Sequence, residues 1–82
     1  MGYYVYQAIL TPDEEGGYDV TAPALPGLAT WGATYEEAAV QAADAMFSYV
    51  ASLLRHGDPV PETIVAEPGP GEQSVMIDVT LS

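Results

Sequence analysis

The first apolar stretch of the chain, Tyr3 to Leu10, is rich in aromatic and β-branched residues and predicts a β-strand. Alternation places Tyr4, Tyr6, Ala8 and Leu10 on one face of this strand and Tyr3, Val5, Gln7 and Ile9 on the other. Both faces are largely apolar, so we expect both to be covered, and a second subunit is one candidate for that cover.

Polar and glycine-rich residues then predict a hairpin. The connection "TPDEEGG" ends in Gly16-Gly17, which adopt positive φ without strain, and a second strand is expected from Tyr18 to Ala22. Pro23 and Pro26 lack the backbone N–H that a regular ladder needs. We therefore expect a third strand that is short and lies near Leu28 to Trp31.

An alanine-rich run predicts a helix. Its start is marked by Thr34 and Glu37, which have capping-box spacing, and its end by Gly57. Apolar positions recur every three or four residues and give the helix one face that packs on the sheet. These positions are Tyr35, Ala39, Ala42, Met46, Tyr49 or Val50, and Leu53.

The rest of the chain predicts a long loop and a last strand. Residues 57–73 hold four prolines and three glycines, which favours an irregular segment. The closing "SVMIDVTLS" alternates and predicts a strand that carries Val75, Ile77, Val79 and Leu81 on one face. Residues 1–82 are thus predicted to form a single small α+β domain, βββα then β, with one helix packed on an antiparallel sheet.

The charge of the chain indicates what kind of partner this domain binds. Twelve Asp and Glu residues face one basic side chain, Arg55, and the formal net charge is −11. Such a surface repels phosphate groups, so we expect no direct binding of nucleic acid. A basic protein would instead be attracted to it, although solubility alone is the alternative explanation of the charge.

Residues with catalytic or metal-binding chemistry are sparse. His56, the one histidine, lies at the predicted helix end, where capping is favoured over catalysis. Asp13, Glu14 and Glu15 cluster in the hairpin loop and are interpreted as a solvated turn rather than a metal site. We therefore predict no enzymatic activity, no cofactor and no metal.

Localisation is inferred from what the chain does not contain. Its N-terminus lacks the pattern of a signal peptide, and no apolar run approaches the ~20 residues that span a bilayer. We expect a soluble cytoplasmic protein that does not contact a membrane.

Trp31, the single tryptophan, has two interpretations, packing on the sheet or anchoring an interface.

A series of motifs between Glu14 and Glu62 resembles one known family. The motifs are the acidic hairpin ending in Gly-Gly-Tyr, the "PALPG" corner, the Gly-x-Thr-x-x-Glu-Ala helix start and the Gly-x-Pro-x-Pro after the helix. In this order they resemble the HicB-like antitoxins. The resemblance implies a partial ribonuclease H-like fold without catalysis, since the first strand holds no acidic residue where a ribonuclease H binds metal.

The resemblance also implies a partner. Domains of this kind bind HicA, a small basic toxin that cleaves mRNA, and shield its active site. Many members add a C-terminal helix-turn-helix or ribbon-helix-helix domain that binds the operator; this sequence shows none, so operator binding by this chain is not expected. An orphan domain that binds a small molecule or serves as an assembly module is the alternative function.

Two sets of site residues follow. A basic partner is expected to contact Asp13, Glu14, Glu15, Trp31, Glu36 and Glu37. We also expect a homo-oligomer, most simply a dimer, because a small sheet leaves an unpaired edge. Its interface is expected to include Val75, Ile77, Val79 and Leu81.

Overall fold

The computed structural model describes residues 2–81, and it has four strands and one helix there. The elements are β1 (Gly2–Pro12), β2 (Tyr18–Thr21), β3 (Ala29–Gly32), α1 (Tyr35–Arg55) and β4 (Gln73–Leu81). All pairings are antiparallel and the strand order is β3-β2-β1-β4. The predicted α+β class, with βββα followed by β and one helix on the sheet, is confirmed.

The hairpin between β1 and β2 closes through its own backbone. The Asp13 N–H donates to the Gly17 carbonyl and the Gly16 N–H to the Asp13 carbonyl, both at 3.0 Å. Gly16 and Gly17 have φ of 104° and 76°, values that residues with a Cβ rarely adopt. The predicted turn is therefore present where the two glycines require it.

One face of the sheet packs against α1 and forms the core. Alternate strand residues supply its sheet side: Tyr6, Ala8, Leu10, Val20, Ile77, Val79 and Leu81. The helix side consists of Ala38, Ala42, Met46 and Val50. Ala42, Met46 and Val50 of this row belong to the predicted stripe, whereas the predicted Tyr35, Ala39 and Leu53 are half-buried. Side chains four residues apart form a row along the surface of a helix, and it is this row that contacts the sheet.

Both ends of α1 are capped as the sequence predicts. The Glu37 N–H donates to Thr34 Oγ1 at 3.1 Å, and Glu37 Oε1 accepts from the Ala33 N–H at 3.3 Å. In a standard capping box the second bond comes from the N-cap residue itself, so the Glu37 carboxylate reaches one residue further back here. Gly57 ends the helix with a φ of 73°.

Residues 58–72, here called the strap, form no helix or strand and join α1 to β4. Only the second half of β1 pairs with β2, so the first half has a bare edge, and the strap crosses it. On the core side, Tyr6 OH donates to the Pro61 carbonyl at 2.6 Å, and Thr63 Oγ1 donates to the Val5 carbonyl at the edge. The strap thus reaches the outer face of the sheet, which faces away from α1.

On the outer face, the strap is held by Gln7. Gln7 Nε2 donates to the Ala66 carbonyl at 2.9 Å, and Gln7 Oε1 accepts from the Ala66 N–H at 2.8 Å. Nε2 also donates to Ser74 Oγ at 2.8 Å, and Gln7 is 2 % exposed. Part of the second apolar face of β1 is therefore covered by the chain's own strap, with no need for a second subunit at that point.

Candidate protein-binding surface

The structure brings all six predicted partner-binding residues to one end of the molecule. The hairpin turn carries Asp13, Glu14 and Glu15, the end of β3 carries Trp31, and the first turn of α1 carries Glu36 and Glu37. Strand pairing explains the proximity, because Tyr18, directly after the turn, lies opposite Gly32 at the end of β3. We call this region, together with Asp19, the acidic end.

Side-chain contacts hold the parts of the acidic end together. Trp31 Nε1 donates to the Gly16 carbonyl at 3.3 Å and ties β3 to the hairpin turn. The rings of Tyr18 and Tyr35 meet edge to face with centroids 6.4 Å apart, which ties the start of β2 to the start of α1. The acids of the turn and of the helix therefore have a fixed spatial relation.

Trp31 is neither a core residue nor a free side chain. Its register partner is Asp19, and both lie on the outer face because the neighbouring Val20 is in the core. The indole packs on Gly17, where a Cβ would lie 2.6 Å from the ring. Nevertheless, 45 % of the residue is exposed. The ring is thus oriented by the hairpin and remains available to a partner.

Asp13 and Asp19 interact directly at the acidic end. The Glu15 N–H donates to Asp13 Oδ1 at 2.8 Å and lowers the pKa of Asp13, with a smaller contribution from a hydrogen bond to the Asp19 side chain. The same hydrogen bond to Asp13 raises the pKa of Asp19, and burial and repulsion by Asp13 act in the same direction. The two carboxyl groups therefore compete for one proton.

Asp19 and Glu72 were not among the predicted site residues. Strand alternation could have predicted the position of Asp19, because Asp19 is the register partner of Trp31 and therefore lies on the same face of the sheet. Glu72 accepts from Thr11 Oγ1 and from the Gly69 N–H, each at 2.7 Å, and these bonds lower its pKa. Nothing local in the sequence marks Glu72, since Thr11 lies 61 residues away along the chain.

The acidic end offers carboxylates and one aromatic ring, and the one basic residue, Arg55, lies at the far end of α1. His56 Nδ1 contacts the Ser52 carbonyl at 2.7 Å, in keeping with a helix-end role. Within residues 2–81 no group of three or more His, Asp or Glu side chains is arranged to hold a metal ion. The chemistry that this surface provides is recognition of cationic side chains, by charge and by contact with the indole.

The four residues predicted for an oligomer interface have a different position. Ile77, Val79 and Leu81 are buried in the chain's own core, and Val75 packs against that core. Their side chains are therefore not exposed in a single chain. The exposed parts of β4 are its outer backbone edge and the outer-face residues Ser74, Met76, Asp78 and Thr80, of which Ser74 is bonded to Gln7.

In the described part of the chain, α1 is not apolar enough over a sufficient length to cross a bilayer.

The sequence of this chain is similar to a known family of proteins. The sequence model described as "HicB_like antitoxin of bacterial toxin-antitoxin system" matches residues 6–69. The chain is 43 % identical over 56 residues to UPF0150 protein Ta0767 of Thermoplasma acidophilum, covering 68 % of this chain and 81 % of that protein. It is 35 % identical over 66 residues to UPF0150 protein ssr1765 of Synechocystis sp., covering 79 % and 84 %.

A solved structure shares the fold. A chain of the "Toxin-Antitoxin complex from Streptococcus pneumoniae" superposes with a TM-score of 0.82 over 96 % of this chain and 70 % of that one, at 16 % identity. At this identity the likeness concerns the fold alone. The family match, which includes the acidic end and most of the strap, shows that the chain belongs to the HicB-like antitoxin family.

Proposed function

We propose that this chain is a non-enzymatic antitoxin that binds a small basic toxin of the HicA type, an mRNA-cleaving ribonuclease, and masks its active site in the cytoplasm. Membership of the family supports the antitoxin role. The observation that carries the proposed mode of binding is the acidic end, where exposed carboxylates of the hairpin turn, β2 and α1 lie at the same end of the molecule as one half-exposed tryptophan.

The chemistry of the proposed partner explains why acids suit this task. A ribonuclease that binds mRNA must present basic side chains to the phosphate backbone. The carboxylates of the acidic end attract those same side chains and so compete with RNA for them. Trp31 adds a flat ring that an Arg or Lys of the partner can cover, an interaction worth about 0.5–2 kcal/mol.

The amino-acid sequence of β1 supports the absence of catalysis. The described β1 holds no Asp or Glu, and the polar side chain near its middle is Gln7. The amide of Gln7 is already used by Ala66 and Ser74. The middle of this strand therefore offers no carboxylate to a metal, and its polar side chain fastens the strap.

An inhibition assay tests the proposal. A purified HicA-type toxin of the same source organism is mixed with RNA, and cleavage is followed as the antitoxin is added. We expect stoichiometric inhibition by the native chain and weaker inhibition by Trp31→Ala. The matched control is Met76→Ala, because Met76 is exposed to a similar extent on the outer face but lies on β4. Undiminished cleavage at saturating native antitoxin contradicts the proposal.

The alternative is an orphan domain that binds a small molecule or serves as an assembly module. One feature favours it, a largely apolar open groove between α1 and the start of β3, lined by residues that include Leu28, Tyr49 and Leu53. Tyr49 OH donates to the Pro26 carbonyl at 2.7 Å and fixes one wall of this groove. A ligand-induced rise in melting temperature that Leu28→Ala abolishes, together with no inhibition of a toxin, would favour this alternative.

A further inference from the structure

The first half of β1 borders an open groove at its bare edge, here called the tyrosine groove. Its volume is about 420 Å³, which is within the range of small-molecule sites. One wall consists of Tyr3, Tyr4, Val5 and Tyr6, and residues 60–63 of the strap form the other. Three of the six tyrosines of the sequence therefore meet at one place in the fold.

Contacts within the fold position the aromatic wall of this groove. Tyr6 is buried, and its hydroxyl donates to the Pro61 carbonyl of the opposite wall at 2.6 Å. The half-buried Tyr4 lies with its ring within 10° of parallel to that of Tyr6, with centroids 6.3 Å apart. Tyr3 points to the other face of the strand and is 66 % exposed. The ring of Tyr4 is therefore oriented before any ligand binds, which lowers the entropic cost of binding.

The charges at the tyrosine groove favour a cation as its ligand. Among the described residues that line it, Glu62 alone is charged, and its side chain is exposed. The one basic residue of the sequence, Arg55, lines a different groove beside Thr80 and Leu81. The faces of aromatic rings attract cations, and a chain with a net charge of −11 repels anions.

Hydrogen bonding at the groove narrows the class of cation. The carbonyls of Pro61 and Val5 already accept from Tyr6 and from Thr63, so they serve poorly the three N–H donors of a primary ammonium group. A fully methylated ammonium group has no such donors. The Val5 N–H points to the same edge as its carbonyl, and within residues 2–81 no acceptor is bonded to it. A ligand oxygen can therefore accept from this N–H.

We propose that the tyrosine groove binds a small quaternary ammonium alcohol of the choline type. The trimethylammonium group contacts the rings of Tyr3 and Tyr4 near the carboxylate of Glu62. The hydroxyl oxygen of the ligand accepts from the Val5 N–H. About 25 Å of extended strand separates Tyr4 from Pro12 at the hairpin, so this site is distinct from the acidic end and does not depend on a toxin.

A titration of the native chain followed by amide NMR tests the site and the charge of its ligand. The probe is choline chloride, with the ionic strength held constant by sodium chloride. We expect a Kd of about 1 mM, with the largest shift at the Val5 amide. The neutral isostere 3,3-dimethylbutan-1-ol, which has carbon in place of nitrogen, should bind at least about tenfold more weakly. Equal affinity for the two compounds would overturn the proposal, and so would unshifted groove amides at about 20 mM choline.

Variants of the groove test which side chains hold the cation. Tyr4→Leu should weaken choline binding about tenfold, whereas Tyr4→Phe keeps the ring and should bind like the native chain. Tyr3→Leu, at an exposed position that does not support the fold, should also weaken binding. Circular dichroism and Trp31 fluorescence establish that each variant is folded. Native affinity in folded Tyr3→Leu and Tyr4→Leu would reject the contact with the rings.

A matched pair of charge variants separates a specific site from general attraction of cations. Glu62→Gln should weaken choline binding several-fold. Glu67→Gln makes the same charge change on an exposed strap residue outside the groove, and it should bind like the native chain. Equal weakening by the two variants would assign the binding to the net charge of the chain and overturn the proposal.

Discussion

The indole of Trp31 packs directly on Gly17, where a Cβ would lie only 2.6 Å from the ring. Gly17 also has a φ of 76°, so two separate requirements exclude a side chain at this position. The exposed tryptophan of the acidic end is therefore positioned by a glycine of the hairpin turn.

Gly17→Ala should destabilise the fold and displace Trp31. The alanine is strained by the positive φ and collides with the ring, for a combined cost of about 2–4 kcal/mol. Gly16→Ala is the matched control, because Gly16 has a φ of 104° with no atom within 4 Å of its added Cβ. Urea unfolding should show the larger loss for Gly17→Ala, and the fluorescence of the single tryptophan should shift only in that variant. Equal losses and unchanged fluorescence in both would contradict this role of Gly17.

Gln7→Leu should release the strap. The substitution leaves the N–H and carbonyl of Ala66 without their partner, at a cost of about 1–3 kcal/mol. Gln7→Glu keeps an acceptor for the Ala66 N–H, and its buried carboxyl group, when protonated and neutral, can donate to the Ala66 carbonyl, so a smaller effect on that N–H is expected. Amide exchange at Ala66 measures the difference directly. Protection of the Ala66 amide that is the same in all three proteins would mean that the strap is held by other contacts.

Asp19→Asn should stabilise the protein at neutral pH. The pKa of Asp19 is raised in the folded chain, so protonation of Asp19 favours folding. This contribution is fully present below pH 3.8, the ordinary pKa of an Asp side chain, and is lost as the pH rises through the raised pKa. Above it, Asp19 and Asp13 are both ionised and repel each other, whereas the side-chain amide introduced by Asp19→Asn continues to donate to Asp13.

The melting temperature as a function of pH checks this prediction. The advantage of Asp19→Asn over the native chain should be present at pH 7 and fade as the pH falls below 3.8. Asp44→Asn, with the same change of net charge away from the pair, should show a smaller gain at pH 7. A gain as large in Asp44→Asn would assign the effect to general charge repulsion.

Local signals were sufficient to predict the element order, the hairpin turn and both ends of α1, whereas the predicted strand ends differ by one or two residues from those of the structure. Thr34, Gly16-Gly17 and Gly57 act through their own backbone neighbours, so the hairpin and both ends of α1 are readable from a few adjacent residues. The proximity of the six predicted partner-binding residues follows from the pairing of β2 with β3, and the choice of these residues as a binding site remains a prediction.

Long-range contacts were not predictable in the same way. The bond between Gln7 and Ala66 joins residues 59 apart, and a proline-rich segment carries no pattern that fixes its path. The four-residue β3 is too short for its alternation to show which face Trp31 occupies. The apolar row of β4 was expected at an interface. In the single chain Ile77, Val79 and Leu81 lie in the core and Val75 packs against it, because the one apolar face of this edge strand packs on α1.

Capture of a basic toxin by the acidic end should set the association rate constant of the two proteins. Glu14→Gln/Glu15→Gln/Glu36→Gln removes three charges there, and Asp58→Asn/Glu62→Gln/Glu67→Gln removes three exposed charges from the strap. With a HicA-type toxin in stopped flow, the native rate should fall as salt rises, and the first triple variant should be about tenfold slower at low salt. The strap variant should remain close to native. A rate independent of salt, or equal slowing by the two triple variants, would contradict the claim.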